Sequence, residues 1–217
     1  VRGVDFCLSC ASADGLSVGR EQAAHGPMYG HAYATLALAE VYGETTRDDE
    51  IATVLERARA LIEQTQNDEG GWRYQPRQAD ADASVTAAMV ITLRGLHNSG
   101  VAVSADCVAR GVAYLERLQN DDGGFRYLVA DGPSGAPRTA AALFALLAAD
   151  RAGPVTGRGF AWLAANPVTL GSTDGYAMYG LAHAAAAHWV RGTESWAAWY
   201  AAVEQPLLAG QQADGAW

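Results

Sequence analysis

The segment Gln66-Asn67-Asp68-Glu69-Gly70-Gly71-Trp72-Arg73-Tyr74 returns 53 positions later as Gln119-Asn120-Asp121-Asp122-Gly123-Gly124-Phe125-Arg126-Tyr127. Self-similarity at a fixed period of this length is the mark of a repeat architecture, in which each unit buries its apolar face against the next. The apolar run behind the motif keeps step, since Thr86-Ala87-Ala88 answers Thr139-Ala140-Ala141 and Leu93 answers Leu146. A third copy, Gln211-Gln212-Ala213-Asp214-Gly215-Ala216-Trp217, starts 92 positions after the second, room for two repeats. A degenerate motif is therefore expected between Asn166 and Gly175. Met28-Tyr29-Gly30 and Met178-Tyr179-Gly180 stand 150 apart, close to three periods, and Ala13-Asp14-Gly15 reads as a worn first motif.

Each repeat divides into two helices of different character. Between Asp48 and Gln66, residues Ile51, Val54, Leu55, Ala58, Leu61 and Ile62 fall on one stripe, the spacing of an amphipathic helix with a wet face. Thr46 with Asp49 is expected to form a capping box at its start, and Gly70-Gly71 to turn the chain beyond its end. By contrast, Val85 to Leu93 is apolar nearly all round, as a helix covered on most sides must be. The alternation predicts outer helices over 48–66, 106–119, 155–165 and 195–210, and inner helices over 27–42, 85–93, 138–150 and 176–190. No segment reads as a strand. The fold class is all-α, with four inner and four outer helices in a single domain over 1–217, which begins at Val1 without methionine and reads as a piece of a longer chain.

Composition narrows the function. Of the 217 residues, 50% are hydrophobic, enough for a sizeable core, and 24 carboxylates outnumber 15 arginines for a net charge of -9. So acidic a surface repels phosphate backbones, which disfavours nucleic acid as a partner. Three cysteines in a chain too long to need disulfide staples favour a reducing, cytoplasmic compartment. The uncharged runs 22–39 and 175–190 are interrupted or short against the roughly 18 to 20 apolar residues of a membrane span.

A glutamine, acidic and glycine residues and an aromatic, closing each outer helix and leading into an alanine-rich inner helix, resemble the repeat of the squalene-hopene cyclases and protein prenyltransferases. The resemblance covers nearly the whole chain. It implies an α/α-toroid of helical hairpins, whose inner helices ring a cavity lined with aromatic groups and whose motif aromatics staple successive hairpins.

Within that frame, Asp80-Ala81-Asp82-Ala83-Ser84-Val85 resembles the Asp-x-Asp-Asp-Thr-Ala motif of class II terpene cyclases, with Ala83 in place of the third aspartate and Ser84 in place of threonine. The resemblance implies Asp82 as the acid that protonates an alkene and Asp80 as its support. A dry pocket and a neighbouring carboxylate can keep such an acid protonated at neutral pH. The alternative is that Asp82 or Ser84 only caps the helix that follows. Tyr29, His31, Tyr74, Tyr127, Tyr176 and Tyr179 are candidate substrate-facing residues, because aromatic faces stabilise cations. His25 and His31 flank one of these tyrosines, whereas His183 and His188 stand five apart, a poor spacing for one helical face. One Cys7-x-x-Cys10 lacks the second ligand pair of a structural zinc site, and Asp106-Cys107 opens an outer helix, so neither a metal nor a cofactor is expected. Asp68-Glu69 and Asp121-Asp122 read as turn residues of the motif. The resemblance thus points to an apolar isoprenoid partner, with peripheral membrane contact compatible with it. Two functions stay open: a class II cyclase, and a non-catalytic repeat scaffold that holds a protein or lipid on its inner face.

Overall fold

The computed structural model describes residues 2–18, 26–171 and 176–216. Among these the chain is helical, with nine α-helices and two isolated β-bridges. It divides into two compact units, Val1–Arg117 and Leu118–Trp217. The first contains α1 (Arg2–Ser9), α2 (Met28–Val41), α3 (Asp48–Thr65), α4 (Ala83–Asn98) and α5 (Ala105–Arg117). The second contains α6 (Ala136–Ala148), α7 (Pro154–Ala165), α8 (Ala177–Arg191) and α9 (Thr193–Gly210).

Helices α2, α4, α6 and α8 are the expected inner helices, and α3, α5, α7 and α9 the outer ones. Their burial follows the sequence pattern. Along α3, Ile51, Leu55, Ala58, Ile62 and Thr65 are buried at alternating spacings of four and three, a single stripe. In α4 eleven of sixteen residues are buried, from Ala83 to Leu96. In the first unit the inner helix α4 packs on α2 and α5, and in the second α8 packs on α6 and α9. Helix α9 buries none of its own residues.

The motif turns share one geometry. In the 66–74 copy the Asn67 amide donates to the Gly71 carbonyl at 3.0 Å and the Gly70 amide to the Asn67 carbonyl at 3.0 Å; in the 119–127 copy Asn120, Gly124 and Gly123 repeat both bonds at 2.9 Å. Ser12, Leu16 and Gly15 do the same at 2.9 and 3.1 Å, which makes 11–17 the first motif, and Gln212, Ala216 and Gly215 form the last at 2.7 and 2.9 Å. Trp217 of that last copy lies outside the described residues. The turn needs glycine for two reasons, visible at Gly70: its φ is +91°, and a Cβ there would stand 2.7 Å from the Arg110 carbonyl oxygen.

One local expectation changes. Thr46 and Asp49 do not form the capping box of α3, because the N-cap residue is Arg47 and no side chain caps it. Thr45 organises this start instead: its Oγ1 accepts the Arg47 amide at 3.0 Å and donates to Asp48 Oδ1 at 2.8 Å. Cys7 lies on α1 and Cys10 just beyond its end.

Candidate active site and aromatic clusters

The motif glutamines and aromatics tie each hairpin to the next outer helix. Gln66 Nε2 donates to the Gly70 carbonyl at 2.8 Å and to Cys107 of α5 at 2.9 Å. Gln119 Nε2 repeats this with Gly123 at 2.9 Å and Val155 of α7 at 2.8 Å. Trp72 is 1% exposed, and its Nε1 donates to the Ile62 carbonyl at 2.8 Å. The amides of both motif aromatics are held by an inner-helix threonine fourteen residues on: Trp72 by Thr86 Oγ1 at 3.1 Å, and Phe125 by Thr139 Oγ1 at 2.9 Å.

His31 takes that threonine's place in the first repeat. It is fully buried, and its Nδ1 accepts the Ser17 amide at 3.1 Å, again fourteen residues apart. Burial pushes its imidazole down to about 4, against the opposing influence of the Ala58 carbonyl and Asp14, so the ring is neutral as the bond to Ser17 requires. The Ser17 bond gives His31 the threonine's structural role in this repeat. His25 lies outside the described residues.

Asp82 and Asp80 have different surroundings. Asp82 is fully buried at the N-cap of α4, and its Oδ1 accepts the amides of Ser84 and Val85, each at 2.9 Å. The corresponding N-cap residues of two other inner helices, Pro27 of α2 and Gly135 of α6, offer no side-chain cap. A carboxyl here is therefore an addition to what the repeat requires. Asp80 is exposed and paired with the Arg73 guanidinium.

Arg73 also lies 5.7 Å from the centre of the Tyr74 ring, and Tyr74 stands 6.0 Å from Tyr29. Tyr33, one helical turn beyond Tyr29, stacks on it at 6.2 Å and completes a cluster of three tyrosines. Tyr33 is 38% exposed, and the partial burial of its ring raises its hydroxyl to about 12. Tyr33 is absent from the sequence candidates although its i,i+4 spacing from Tyr29 marks it. In the second unit Tyr179 lies 4.2 Å from His183, whose Nδ1 is 2.8 Å from the Tyr179 carbonyl and whose ring meets Phe144 of α6 at 6.3 Å. Tyr127 is half-buried in the loop after Phe125, and Tyr176, just before α8, is 65% exposed. His188 faces other partners than His183, Phe160 at 5.1 Å and Trp199 at 5.8 Å.

Among the acidic pairs, Asp122 Oδ1 accepts from Gly124 at 2.9 Å and Ser134 at 2.7 Å, and Oδ2 from Trp162 Nε1 at 3.0 Å. Those donors, outweighing a desolvation penalty, hold its carboxyl below the usual range. This is turn chemistry. Cys107 faces inward, 3% exposed, and burial lifts its thiol to about 12. Among the described residues no three His, Cys, Asp or Glu side chains converge as a metal site, and no helix is long and apolar enough to cross a membrane.

Tandem helical hairpins with stapling motifs define a fold of the terpene-cyclase type. The profile of the squalene-hopene cyclase C-terminal domain matches residues 1–127, more than half of the chain, and the chain belongs to that family. Among solved structures it is similar to the apo form of the type II terpene cyclase MstE from Scytonema, with 18% identity and a TM-score of 0.65 over 98% of this chain and 66% of that one. At that identity the likeness is one of fold, and it places the chain in the α/α-toroid class. The chain spans about two thirds of that structure's length. Comparison with curated proteins gives no match.

Proposed function

We propose that this chain is a class II terpene-cyclase domain that takes up an apolar isoprenoid and uses Asp82 as the initiating acid. The observation that carries the reading is a fully buried carboxyl at the head of α4, where the equivalent positions of α2 and α6 have proline and glycine. The repeat folds without a carboxyl at this position, so its presence inside the protein calls for a chemical reason. In the proposed reaction the Asp82 O–H bond breaks and the proton adds to a terminal alkene, whose π electrons form the new C–H bond. The tertiary cation left behind is attacked by the next alkene. The final cation loses a proton or takes up water, and the acid is restored by a proton from solvent. Tyr29, Tyr33 and Tyr74 supply aromatic faces suited to a cation. Asp80, engaged with Arg73, orders the loop before α4 and fixes the guanidinium beside Tyr74.

A second reading has its own support. The two amide bonds at Asp82 Oδ1 are those of an ordinary N-cap, which a non-catalytic isoprenoid- or protein-binding scaffold would equally use. Asn caps a helix as well as Asp but cannot deliver this proton. Incubating the chain and its Asp82→Asn variant with squalene and linear prenyl substrates therefore separates the two, with products read by gas chromatography and mass spectrometry. A cyclised product lost in the variant supports the acid, and no turnover by the unaltered chain favours the scaffold.

A further inference from the structure

The repeat that follows α7 breaks the rule that the 66–74 and 119–127 repeats obey. Trp72 fills the space between α3, α4 and α5: its indole bonds to Ile62 of α3, and a Cβ on Gly111 of α5 would meet the ring at 3.1 Å and Val90 of α4 at 2.9 Å. In the second unit Phe125, fully buried, lies against Gly159 of α7, where a Cβ would meet Leu143 of α6 at 2.7 Å and the Phe125 ring at 3.3 Å. The segment after α7, residues 166–175, reads Asn-Pro-Val-Thr-Leu-Gly-Ser-Thr-Asp-Gly and has no aromatic; positions 172–175 of this expected motif lie outside the described residues. The glycine is replaced as well: Val203 of α9 stands eight residues before Gln211, as Gly111 stands eight before Gln119.

Between α7, α8 and α9 there is instead a cleft of about 790 Å³, bordered by Val203. That lies within the range of roughly 300–1,000 Å³ typical of small-molecule sites and far exceeds one missing ring. Its walls are mainly apolar, with Phe160, Leu163, Val168, Ala184 and Trp199 among them. Its polar lining comes from Arg191, Thr193 and Glu194 around the α8–α9 junction and from one hydrogen-bonded pair, His188 Nδ1 at 2.8 Å from Ser195 Oγ. Burial and the nearby Arg191 both hold His188 below its ordinary value, so the pair is uncharged. The Arg191 guanidinium lies 4.2 Å over the Phe160 ring.

We propose that this cleft, opened by loss of the motif aromatic and its facing glycine, is a ligand site for an uncharged, ring-bearing, largely hydrocarbon molecule. One hydroxyl or carbonyl of the ligand meets the His188–Ser195 pair. The assignment rests on α7, α8 and α9 alone and is independent of the role of Asp82.

Benzophenone-4-methanol has these features and crosslinks to neighbouring C–H bonds under ultraviolet light. Calorimetric titration of the full chain should give saturable one-to-one binding, and photolysis should label peptides from 154–210. Ala198→Trp fills the cleft from its exposed α9 wall and should weaken binding at least tenfold with the helical circular dichroism unchanged. Ser195→Ala removes one hydrogen-bond partner and should weaken it about two- to tenfold. Non-saturable binding, labelling outside 154–210, or unchanged affinity in a folded Ala198→Trp would each overturn the assignment. Should Ala198→Trp not fold, the labelled position in the unaltered chain decides.

Discussion

Replacing Trp72 with alanine should destabilise the chain by about 3–5 kcal/mol, the cost of emptying a fully buried aromatic site that cannot collapse. The site is confined by three helices, with Ile62 of α3, Val90 of α4 and Gly111 of α5 around it, so little relaxation is available. Trp72→Phe copies the residue of the next repeat and should cost only about 1–2 kcal/mol, for the lost indole hydrogen bond and part of a ring. The Ile62 carbonyl is not stranded in that variant, because Thr65 Oγ1 lies 3.2 Å from it. At roughly 2–4 °C per kcal/mol for a chain of this size, the alanine variant should melt some 6–20 °C lower. Urea unfolding followed by circular dichroism, with a thermal melt beside it, measures both variants. The stapling role would be refuted by a loss below about 1 kcal/mol in the alanine variant, or by equal losses in the two.

Gly70→Ala combines a left-handed φ with a collision against the Arg110 carbonyl, whereas Gly100 has φ +89° and open space around its Cβ. Gly70→Ala should cost clearly more than the roughly 1–2 kcal/mol of conformational strain expected for Gly100→Ala, and equal melting shifts would remove the packing argument. His31 must stay neutral when folded, with a value near 4 against an ordinary 6.5. Above about pH 6.5 it costs nothing. Between 6.5 and 4 the unfolded chain takes up the proton first, and below 4 both states hold it, so stability should fall by about 3 kcal/mol as pH drops through this window. His31→Thr, the residue type of the later repeats, should remove that share of the pH dependence; an unchanged slope in urea titrations would show that the histidine is not the cause. Asp82→Ala should lose about 0.5–2 kcal/mol of capping free energy by chemical denaturation while Asp82→Asn stays close to the unaltered chain, and a reversed order would contradict the N-cap geometry.

Much of this molecule could be read from the motif copies, because a staple repeated in sequence must repeat in space. The alternation of inner and outer helices, the glycine turns and the worn first motif at 11–17 all follow from that rule. The task of His31 was also legible, since it stands fourteen residues after Ser17 as Thr86 does after Trp72, but a lone histidine beside a tyrosine suggests a ligand before it suggests a threonine substitute. What the pattern could not convey is burial within a loop. Asp80 and Asp82 are alike in sequence, yet one lies in solvent with Arg73 and the other inside the protein, a difference set by how 73–82 folds back onto the amides of α4. The start of α3 escaped for a similar reason, since Thr45 and Thr46 offer the same hydroxyl and backbone geometry alone chooses between them. The α7–α8–α9 cleft has a sequence signal, the missing aromatic between 166 and 175, whose meaning appears only beside the spaces that Trp72 and Phe125 fill.

Product analysis of the full chain and its Asp82→Asn variant, incubated with squalene and linear prenyl substrates, tests the central claim most directly. The account predicts a cyclised product from the unaltered chain and none from a variant that unfolds at the same urea concentration. Undiminished cyclisation by the folded variant, or no product from the unaltered chain with any of these substrates, would contradict it.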